Sequence, residues 1–590
     1  MFSLNSSITK QTYHAARYIA ISFRAGIDVF PPRRASVDAG RLRDDGTSPR
    51  SIPPTLSPMT TARPPLSLSL LRPLAATLLS LGMLAAAHAA PPDARAVTLD
   101  RAAAARPVDR FFDLSVGADY PGTTGRPENL AQLKTAVDEL GFRYVRFHDI
   151  FHDALGTVRQ VDGRITYDFR GIDKLYDDLL ARGIKPFVEL GFTPSAMKTS
   201  DQTVFYWKGN SSRPQPGPWA ELVEAFARHV IQRYGEAEVH QWLFECWNEP
   251  NLAGFFEGAN PKDYFDLYAL TARTLKRVDP ALRIGGPATA GAAWVPEFLA
   301  YAKSNDVPVD FVTTHTYGVT EGFFDEFGKS DRILAIDPNS IVGDVRRNRQ
   351  EIEASAFPGL PLYVTEWSTS YSPRDKVHDS YITAPWILTK LRATRGYAQA
   401  MSYWTYSDLF EEPGPPDAPF HGGFGLMTRE GVRKPAWFAY KYLHALRGNE
   451  IPSTDDKVLA AADGDRLAVV AWDWQHPDQK GSSNSIFFGK PVPNGPAAPV
   501  RLALRNLKSG AYRLELRRVG YKVNDAHTAY LEMGSPKQLD AAQLARLQSL
   551  TQDRPEVHRI VNVRRNGTLD FTVPMRSNDV TLLTLEPVKP

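Results

Sequence analysis

Two glutamate residues occupy positions where a pair of carboxyl groups could do chemistry. Glu249 follows the largely apolar stretch "WLFECWN" (242–248), and Pro250 comes directly after it. Proline disfavours the α-helical region for the residue before it and cannot donate to a strand ladder. Glu366 lies in "YVTEWSTSY" (363–371), again at the end of an apolar run. Each segment therefore predicts a strand that holds a carboxylate at its carboxyl-terminal end.

Two carboxyl groups on opposite walls of one site can cleave a glycosidic bond. One group protonates the leaving oxygen, and the other stabilises or attacks the anomeric carbon. For cleavage with retention of configuration, the carboxyl groups of Glu249 and Glu366 should lie about 5–5.5 Å apart. Asn248, next to Glu249, adds an amide that can hold a sugar hydroxyl. The pair and its neighbouring amide predict a carbohydrate site.

Eight short β-rich runs between residues 110 and 450 predict the elements that would position these groups. The runs are 111–119, 142–149, 185–191, 239–250, 282–288, 309–317, 360–367 and 401–410. Amphipathic helical patterns separate them, which is typical of an α/β fold, the (β/α)8 TIM barrel, whose site lies at the carboxyl ends of the strands. A doubly wound sheet is the alternative, but no glycine-rich phosphate loop follows the first run. Glu249 then ends the fourth strand and Glu366 the seventh, on facing walls.

Other polar and aromatic residues at the predicted strand ends are candidates for sugar contacts. They are His148, Asp149, Glu189, Asn248, His315, Tyr317, Trp404, Asp408, Glu411 and Glu412. We expect the two histidines to bind sugar hydroxyls, because no third ligand stands at a suitable spacing for a metal. We predict neither a metal nor another cofactor. Trp404 is either a core aromatic or a platform for a sugar face.

The pattern changes after residue 450. Short alternating strands bounded by Gly, Pro and Asn are predicted at 465–474, 500–507, 511–523, 569–574 and 579–587, with a short helix at 541–550. This is typical of an antiparallel β-sandwich. We therefore expect a catalytic barrel over 110–450 and a sandwich domain over 451–590, with 90–109 as a linker or a further sandwich strand. The sandwich should pack on the barrel rather than act as an independent sugar-binding module.

Charge and cysteine content narrow the class of protein. The 590 residues carry a net charge of +3, and residues 1–90 hold ten Lys/Arg against four Asp, so the remainder is negative. This distribution gives no basic surface for nucleic acid. The one cysteine, Cys246, cannot form an intramolecular disulfide and is expected to be a small buried hydrophobe.

The first 90 residues resemble a targeting segment rather than a folded domain. From Met59, two arginines precede the apolar run 74–87, and Ala87-His88-Ala89 follows. This is the layout of a secretory signal peptide over 59–89, and the apolar run is too short to span a membrane. We expect a secreted or periplasmic protein with no membrane contact in its mature form. Residues 1–58 are expected to be a mis-assigned or disordered extension preceding a start at Met59, and a long leader is the alternative.

Several motifs together resemble glycoside hydrolase family 39, which includes β-xylosidases and α-L-iduronidase. The segment "WLFECWNEPN" (242–251) is the most specific of them. The resemblance continues through 146–151, 185–194, 310–318, 363–371, 403–412, 420–440 and 529–536, and so covers roughly residues 110–590. Asn-Glu-Pro alone would indicate only the wider group of such barrels.

The resemblance implies a retaining glycoside hydrolase with Glu249 as the acid/base and Glu366 as the nucleophile. It places further residues around the sugar, namely His148, Asn248, His315, Tyr317 and Glu412, with Glu411 beside them. It also implies that the glycine-rich stretch 421–425 closes one side of the pocket. No sugar specificity follows from the family alone, because its members act on different glycosides.

The leading hypothesis is an exo-acting β-xylosidase, since the motifs are most similar to those of bacterial β-xylosidases. Another sugar is the alternative, as an α-L-iduronide, a β-glucoside, an arabinopyranoside or an exopolysaccharide. A uronide needs a cationic partner, and the strand ends offer no Arg or Lys, which favours a neutral sugar. A non-catalytic sugar-binding barrel is the alternative from another class, and the presence of both carboxylates argues against it. The partner is therefore an oligosaccharide or glycoside, and the oligomeric state stays open.

Overall fold

Eight parallel strands close into a barrel in the computed structural model, which describes residues 93–324 and 330–588. The strands are β1 (Ser115–Gly117), β2 (Tyr144–Phe147), β3 (Lys185–Leu190), β4 (Leu243–Cys246), β5 (Arg283–Thr289), β6 (Phe311–Tyr317), β7 (Leu362–Ser368) and β8 (Ala400–Tyr403). Each pairs with its neighbours in chain order, and β8 pairs with β1 to complete the circle. One strand falls within each of the eight predicted runs apart from single end residues, so the predicted TIM barrel is confirmed.

A helix of ten residues or more follows every barrel strand. These helices are α1 (Pro127–Leu140), α2 (Arg170–Leu180), α3 (Pro216–Tyr234), α4 (Pro261–Val278), α5 (Val295–Ser304), α6 (Val342–Glu353), α7 (Thr383–Thr394) and α8 (Pro435–His444). In α3 the buried residues Trp219, Leu222, Phe226 and Val230 recur at intervals of three or four, so one apolar stripe faces the barrel. Packing of such stripes against the outer faces of the strands forms the main core.

The inside of the barrel is layered, because alternate residues of a strand point to the same side. The lower layer is an apolar plug that includes Phe187 of β3, Leu243 of β4 and Phe311 of β6. Two residues further along β3 and β4 stand Glu189 and Glu245, which are fully buried. The barrel interior therefore changes from apolar to charged as it approaches the carboxyl ends of the strands.

The sandwich consists of a three-stranded and a seven-stranded sheet. The first contains Arg95–Asp100, Val500–Arg505 and Leu569–Val573; the second contains, in order, Arg106–Pro107, Asn449–Ile451, Val458–Asp463, Arg466–Trp472, Val580–Pro587, Gly510–Val519 and Val557–Val563. The stretch before the barrel thus adds one strand to each sheet. Arg95–Asp100 pairs in parallel with Val500–Arg505, whereas the other sandwich pairs are antiparallel. The edge strand Val557–Val563 is mostly exposed, and only Val563 is buried, which explains why the hydrophobic pattern missed it.

An apolar core runs without a break from the barrel helices into the seven-stranded sheet. Trp472 of that sheet is buried in the same cluster as α7 and α8, and its indole N–H donates to Thr389 Oγ1 at 3.0 Å. A second core lies between the two sheets of the sandwich. The helix predicted at 541–550 is present as Ala541–Ser549.

Short hairpins and helices lie within the loops that connect these elements. The hairpins are Val158–Val161 with Arg164–Tyr167, Thr203–Val204 with Gly209–Asn210, and Val319–Phe324 with Ser330–Leu334; the additional α-helices are Pro121–Thr124, Glu236–Val239, Asn484–Phe487 and Ala526–Glu532. Within 93–324 and 330–588, no helix has the length and apolarity that a bilayer crossing requires. The expected extension 1–58 and signal peptide 59–89 lie outside the described residues.

Candidate active site

The backbone after β4 turns sharply before it presents Glu249. Trp247 and Glu249 both adopt positive φ values, 69° and 45°, a backbone conformation that is uncommon for non-glycine residues. The Glu249 amide donates to the carbonyl of Ala288 at 2.9 Å, which ties the turn to the end of β5. The turn therefore keeps the Glu249 carboxylate at the rim of the barrel.

Arg146 of β2 is the centre of the charged layer inside the barrel. Its Nε atom contacts Glu245 at 2.6 Å, and its two terminal nitrogens contact Glu366 at 2.7 Å and Glu189 at 2.9 Å. The Arg146 side chain has no exposed surface. Burial alone would lower the pKa of Arg146, but the three carboxylates raise it above its usual range. One guanidinium therefore contacts three carboxylates in the barrel interior, and one of these belongs to Glu366.

Glu366 accepts hydrogen bonds from two directions. Arg146 binds its Oε1 atom, and the hydroxyl of Tyr317 donates to Oε2 at 2.7 Å. Burial and the charge of Glu366 raise the pKa of Tyr317 well above its ordinary value, so this phenol stays a donor. Both contacts stabilise negative charge on Glu366, and they orient the carboxylate.

Glu249 lies on the opposite wall in a different environment. Its Oε1 atom is 2.9 Å from Nδ1 of His315, and one carboxylate oxygen each of Glu249 and Glu366 lie within 4.8 Å of each other. Burial, followed by the charges of Glu366 and Glu412, raises the pKa of Glu249 well above its ordinary value. The two carboxyl groups of the site are therefore unlike. The raised pKa of Glu249 favours its protonated form, whereas Glu366 accepts a hydrogen bond from the guanidinium of Arg146.

The two histidines of the site differ in charge because their partners differ. His148 lies between Glu189 Oε2 at 2.8 Å and Glu412 Oε1 at 3.0 Å. Burial opposes its charged form, yet the two glutamates raise the pKa of His148 well above its ordinary value. Burial and the charges of Arg146 and His148 lower the pKa of His315 well below its ordinary value. His148 is therefore a cation near neutral pH, and His315 is neutral.

Asn248 and Trp404 complete the floor of the site. Arg146 donates to Asn248 Oδ1 at 2.9 Å, so the Asn248 amide nitrogen is left to donate to a ligand. The Trp404 ring lies 4.8 Å from the ring of His148, and the guanidinium of Arg146 lies 5.6 Å above it. Only 1% of Trp404 is exposed. Trp404 is therefore a buried core residue, and its ring also packs against His148 and Arg146 of the site.

Glu411 and Asp408, which were also named from the sequence, bind other charged residues instead of joining this group. Both carboxylate oxygens of Glu411 bind Arg126, at 2.6 and 3.0 Å, whereas the neighbouring Glu412 reaches His148. Asp408 faces Lys434 at 2.6 Å. The two adjacent glutamates therefore bind different partners, and of the two only Glu412 contacts a residue of the site.

Sequence reasoning missed four residues of the site, and each left a detectable signal. Arg146 and Glu245 are charged residues inside otherwise apolar strands, and a buried charge requires a partner. The expectation that no arginine lies near the strand ends was wrong for Arg146, although its donors are already bound to acids and Asn248. Phe205 and Trp207 lie in a loop whose aromatic run, "VFYW" (204–207), was overlooked; the Phe205 ring stacks on His148 at 5.4 Å, and Trp207 packs on Phe205 at 4.9 Å.

The arrangement can transfer a proton and hold a cationic centre between two carboxylates. His148 and His315 do not meet as a metal pair, since they bind different acids. Glu249, His315 and Glu366 offer three ligand atoms within 4.8 Å of one another, which is a possible cation geometry. Charged and neutral donors surround the gap between the two carboxylates, as recognition of a sugar ring and its hydroxyls requires.

Comparison of the chain with known proteins identifies a family. The family model for glycosyl hydrolases family 39 matches residues 95–569. A β-xylosidase from Geobacillus stearothermophilus is 35% identical over 483 residues, which cover 80% of this chain and 92% of that protein.

Two solved structures are also similar. A monomeric β-xylosidase from Caulobacter crescentus CB15 is 62% identical with a TM-score of 0.83, and the match covers 84% of this chain and 100% of that one. The GH39 enzyme from Xanthomonas axonopodis pv. citri is 59% identical with a TM-score of 0.84, covering 86% of this chain and all of that one. The resemblance noted in the sequence motifs is thus confirmed over the barrel and the sandwich together. The chain belongs to glycoside hydrolase family 39 and is a glycosyl hydrolase.

Proposed function

We propose that this protein is a retaining, exo-acting β-xylosidase in which Glu249 is the acid/base and Glu366 is the nucleophile. The observation that carries the proposal is the pair of carboxylates, with oxygens within 4.8 Å and with unlike surroundings. Inverting enzymes hold their carboxyl groups about 6.5–9.5 Å apart to admit a water molecule, whereas retaining enzymes hold them at about 5–5.5 Å. The observed separation favours direct attack by one carboxylate.

In the first step, Glu249 gives its proton to the glycosidic oxygen while Glu366 attacks the anomeric carbon. The bond between that carbon and the leaving oxygen breaks, and a bond to a Glu366 oxygen forms. The raised pKa of Glu249 keeps a proton available for this step. Arg146 and Tyr317 hold Glu366 in position; as the ester forms, Glu366 loses its charge, the leaving group departs as a neutral alcohol, and Glu249 becomes a carboxylate.

In the second step, Glu249 acts as a base. Esterification removes the charge of Glu366, which is one of the causes that raise the pKa of Glu249. Glu249 therefore becomes more acidic, and its carboxylate can accept a proton from the attacking water. Water then displaces Glu366 from the opposite face, and two inversions give net retention.

A neutral sugar fits the charges of the pocket better than a uronide. The guanidinium of Arg146 contacts Glu189, Glu245 and Glu366, and the imidazolium of His148 lies between Glu189 and Glu412. Neither cation is available to a substrate carboxylate without losing an existing partner. Two of the related proteins above are named β-xylosidases, which favours xylose among the neutral sugars.

A panel of aryl glycosides tests the substrate. The 4-nitrophenyl β-D-xyloside should be cleaved with the highest kcat/KM, ahead of the β-D-glucoside, the α-L-arabinopyranoside and an α-L-iduronide. Proton NMR of the first product should show the β-anomer. Preferred cleavage of a different glycoside would replace the xylose assignment, an initial α-anomer would refute retention, and binding without cleavage would support a sugar-binding barrel.

We also propose that residues 59–89 direct export. The support is the order of two arginines, an apolar run and Ala87-His88-Ala89 in the sequence. In a bacterial host, the exported protein should begin near Ala90 by amino-terminal sequencing. The mass of the uncleaved precursor would show whether synthesis starts at Met1 or Met59. Retention of the whole chain in the cytoplasm would refute the assignment.

A further inference from the structure

A lysine and two aspartates form a fully buried cluster beside the site. Lys434 Nζ lies 2.7 Å from Asp379 Oδ1 and 2.6 Å from Asp408 Oδ2, and none of the three side chains has exposed surface. We call these three residues the buried triad. Buried charges are costly unless they are paired and hydrogen-bonded. The ion pairs alone therefore do not explain why these three charged residues are buried here.

The triad connects three separate parts of the barrel rim. Asp379 ends the short 3-10 helix Lys376–Asp379 in the loop after β7, Asp408 lies in the loop after β8, and Lys434 directly precedes α8. Two acids share one cation, and burial raises the pKa of Asp408 to about 6 although Lys434 opposes the shift. Neither acid belongs to the proposed catalytic pair.

Each member of the triad also binds the backbone of the glycine-rich loop 421–425. The amide of Gly422 donates to Asp379 Oδ2 at 2.8 Å, and the amide of Gly425 donates to Asp408 Oδ1 at 2.7 Å. Lys434 Nζ donates to the carbonyl of Gly423 at 2.9 Å. The three charged groups therefore hold three backbone groups of one short loop.

The loop lies so close to the triad that side chains would not fit. A Cβ atom on Gly423 would lie 2.4 Å from Asp408 Oδ1, and one on Gly425 would lie 2.3 Å from the backbone nitrogen of Asp408. Both distances are too short for real contacts. The glycines thus permit the backbone to approach the charges directly, and the loop has little freedom to shift.

The side chain of Phe424, in the glycine-rich loop, points toward the sugar site. Phe424 is buried in a cluster with Trp404 and Phe410, and its ring centre lies 6.4 Å from that of Tyr317. The Tyr317 hydroxyl is the donor to Glu366. Contacts therefore run from the triad through the glycine-rich loop and Phe424 to the group that binds the proposed nucleophile.

We propose that Asp379, Asp408 and Lys434 are positioning residues that fix one wall of the sugar pocket. They hold the glycine-rich loop by its backbone, and Phe424 transmits that position to Tyr317 and Trp404. The triad touches no reacting atom in this scheme. The proposal rests on the assignment of the sugar site above, and it adds a determinant of sugar binding from outside the site.

The test removes one charge of each sign, so that the net charge of the cluster is preserved. In Lys434→Met combined with Asp408→Asn, amide exchange measured by mass spectrometry should be faster in peptides that cover 421–426. The inhibition constant of free xylose should rise about tenfold, because small displacements of a binding wall are amplified in affinity and rate. An unfolded fraction lowers kcat but leaves the inhibition constant of the folded molecules unchanged, so this readout separates positioning from stability.

A matched control uses another buried ion pair. Asp579→Asn breaks the contact with Arg518 in the sandwich, where the side chains are 0% and 5% exposed. It should lower the Tm and leave the inhibition constant and the exchange of 421–426 unchanged. If the double variant does not fold, Asp408→Asn alone should show the same changes to a smaller extent.

Two outcomes would overturn the proposal. One is a folded triad variant whose exchange and inhibition constant equal those of the wild type, and the other is an equal effect of Asp579→Asn. Amide exchange requires no assumption about the reaction. If the wild type cleaves a glycoside other than a xyloside, the corresponding free sugar replaces xylose, so the two proposals fail in different measurements.

Discussion

The hydroxyl of Tyr317 donates to Glu366 across two neighbouring strands whose pairing is interrupted by a bulge. β6 and β7 pair in register up to Thr314 and Val364, and the register then shifts so that His315 lies opposite Glu366. Bulges re-aim side chains and are common beside active sites. The shift brings Tyr317 Oη to 2.7 Å from Glu366, while His315 on the same strand reaches Glu249. One strand therefore contacts both proposed catalytic groups.

Removal of the Tyr317 hydroxyl should slow the reaction without unfolding the protein. A hydrogen bond to a charged group contributes about 1.5–3 kcal/mol, so Tyr317→Phe should lower kcat/KM roughly 10- to 100-fold. Steady-state kinetics on an aryl xyloside measures the effect. Tyr264→Phe is the control, since that buried hydroxyl donates to the carbonyl of Cys246 outside the pocket. Equal kinetics for both variants would show that the contact with Glu366 has no catalytic value.

Substitution of each of the two glutamates proposed as catalytic should change the dependence of the rate on the leaving group in a different way. Glu249→Ala removes the proton donor, so substrates with poor leaving groups should lose most activity, while activated aryl glycosides should still glycosylate Glu366. Azide needs no base and should speed turnover, giving a glycosyl azide with the configuration of the substrate. Glu366→Ala should be inactive on every substrate, and azide should then give the opposite anomer.

The products of azide rescue decide the roles independently of the rates. Gas chromatography or NMR identifies the anomer in each variant. If Glu249→Ala gave the inverted azide and lost activity equally on all leaving groups, the two roles would be exchanged.

The charge of Glu366 should raise the pKa of Glu249 in a measurable way. An acid whose pKa is raised stays protonated at higher pH, so kcat/KM for poor leaving groups should fall as pH rises through that pKa. In Glu366→Gln the repulsion is absent, and the pKa of Glu249 should be lower than in the wild type. Carbon NMR of labelled glutamate carboxyl groups records the titration of Glu249 in the wild type and in Glu366→Gln. An unchanged Glu249 titration would mean that the charge of Glu366 does not contribute to the raised pKa.

Replacement of Arg146 should destabilise the barrel strongly. Arg146→Met removes the cation that contacts Glu189, Glu245 and Glu366, and of these only Glu189 keeps a hydrogen bond to His148. The loss of one partner from a buried ion pair costs about 3–5 kcal/mol. Urea unfolding at neutral pH measures the change in the free energy of unfolding. Arg170→Met is the control, because the Arg170–Asp168 pair lies at the surface, where ion pairs contribute little to stability. Similar losses in both variants would contradict the role of Arg146 as the counter-ion of the interior.

Chelators should leave the activity unchanged. Acid–base cleavage through two carboxylates has no step that requires a cation. Dialysis against EDTA followed by assays with and without added divalent ions is the measurement. A loss of activity that one ion restores would assign Glu249, His315 and Glu366, the group with three close ligand atoms, to a metal.

The repeated hydrophobic pattern in the sequence was sufficient to predict the barrel. Strands and amphipathic helices each leave a characteristic period, and eight alternating units close in essentially one way. Because the carboxyl ends of all barrel strands share one rim, the positions of Glu249 and Glu366 in the sequence already predicted that they meet. The sandwich was predicted less completely, since its edge strand Val557–Val563 is mostly exposed and the stretch before the barrel was predicted only as a linker or a further sandwich strand.

Only the tertiary structure decided which charged groups meet. The contacts of Arg146 with three carboxylates, the choice of Glu412 over Glu411, and the binding of the glycine-rich loop by Lys434 join residues far apart in the chain. Such pairings depend on strand register, on bulges and on the course of loops, and no local period encodes these. The sequence by itself determined the fold class and the two strand ends that carry the carboxylates. The tertiary structure determined their partners and the raised pKa of Glu249, because the electrostatic environment of a buried group is set by neighbours that only folding brings together.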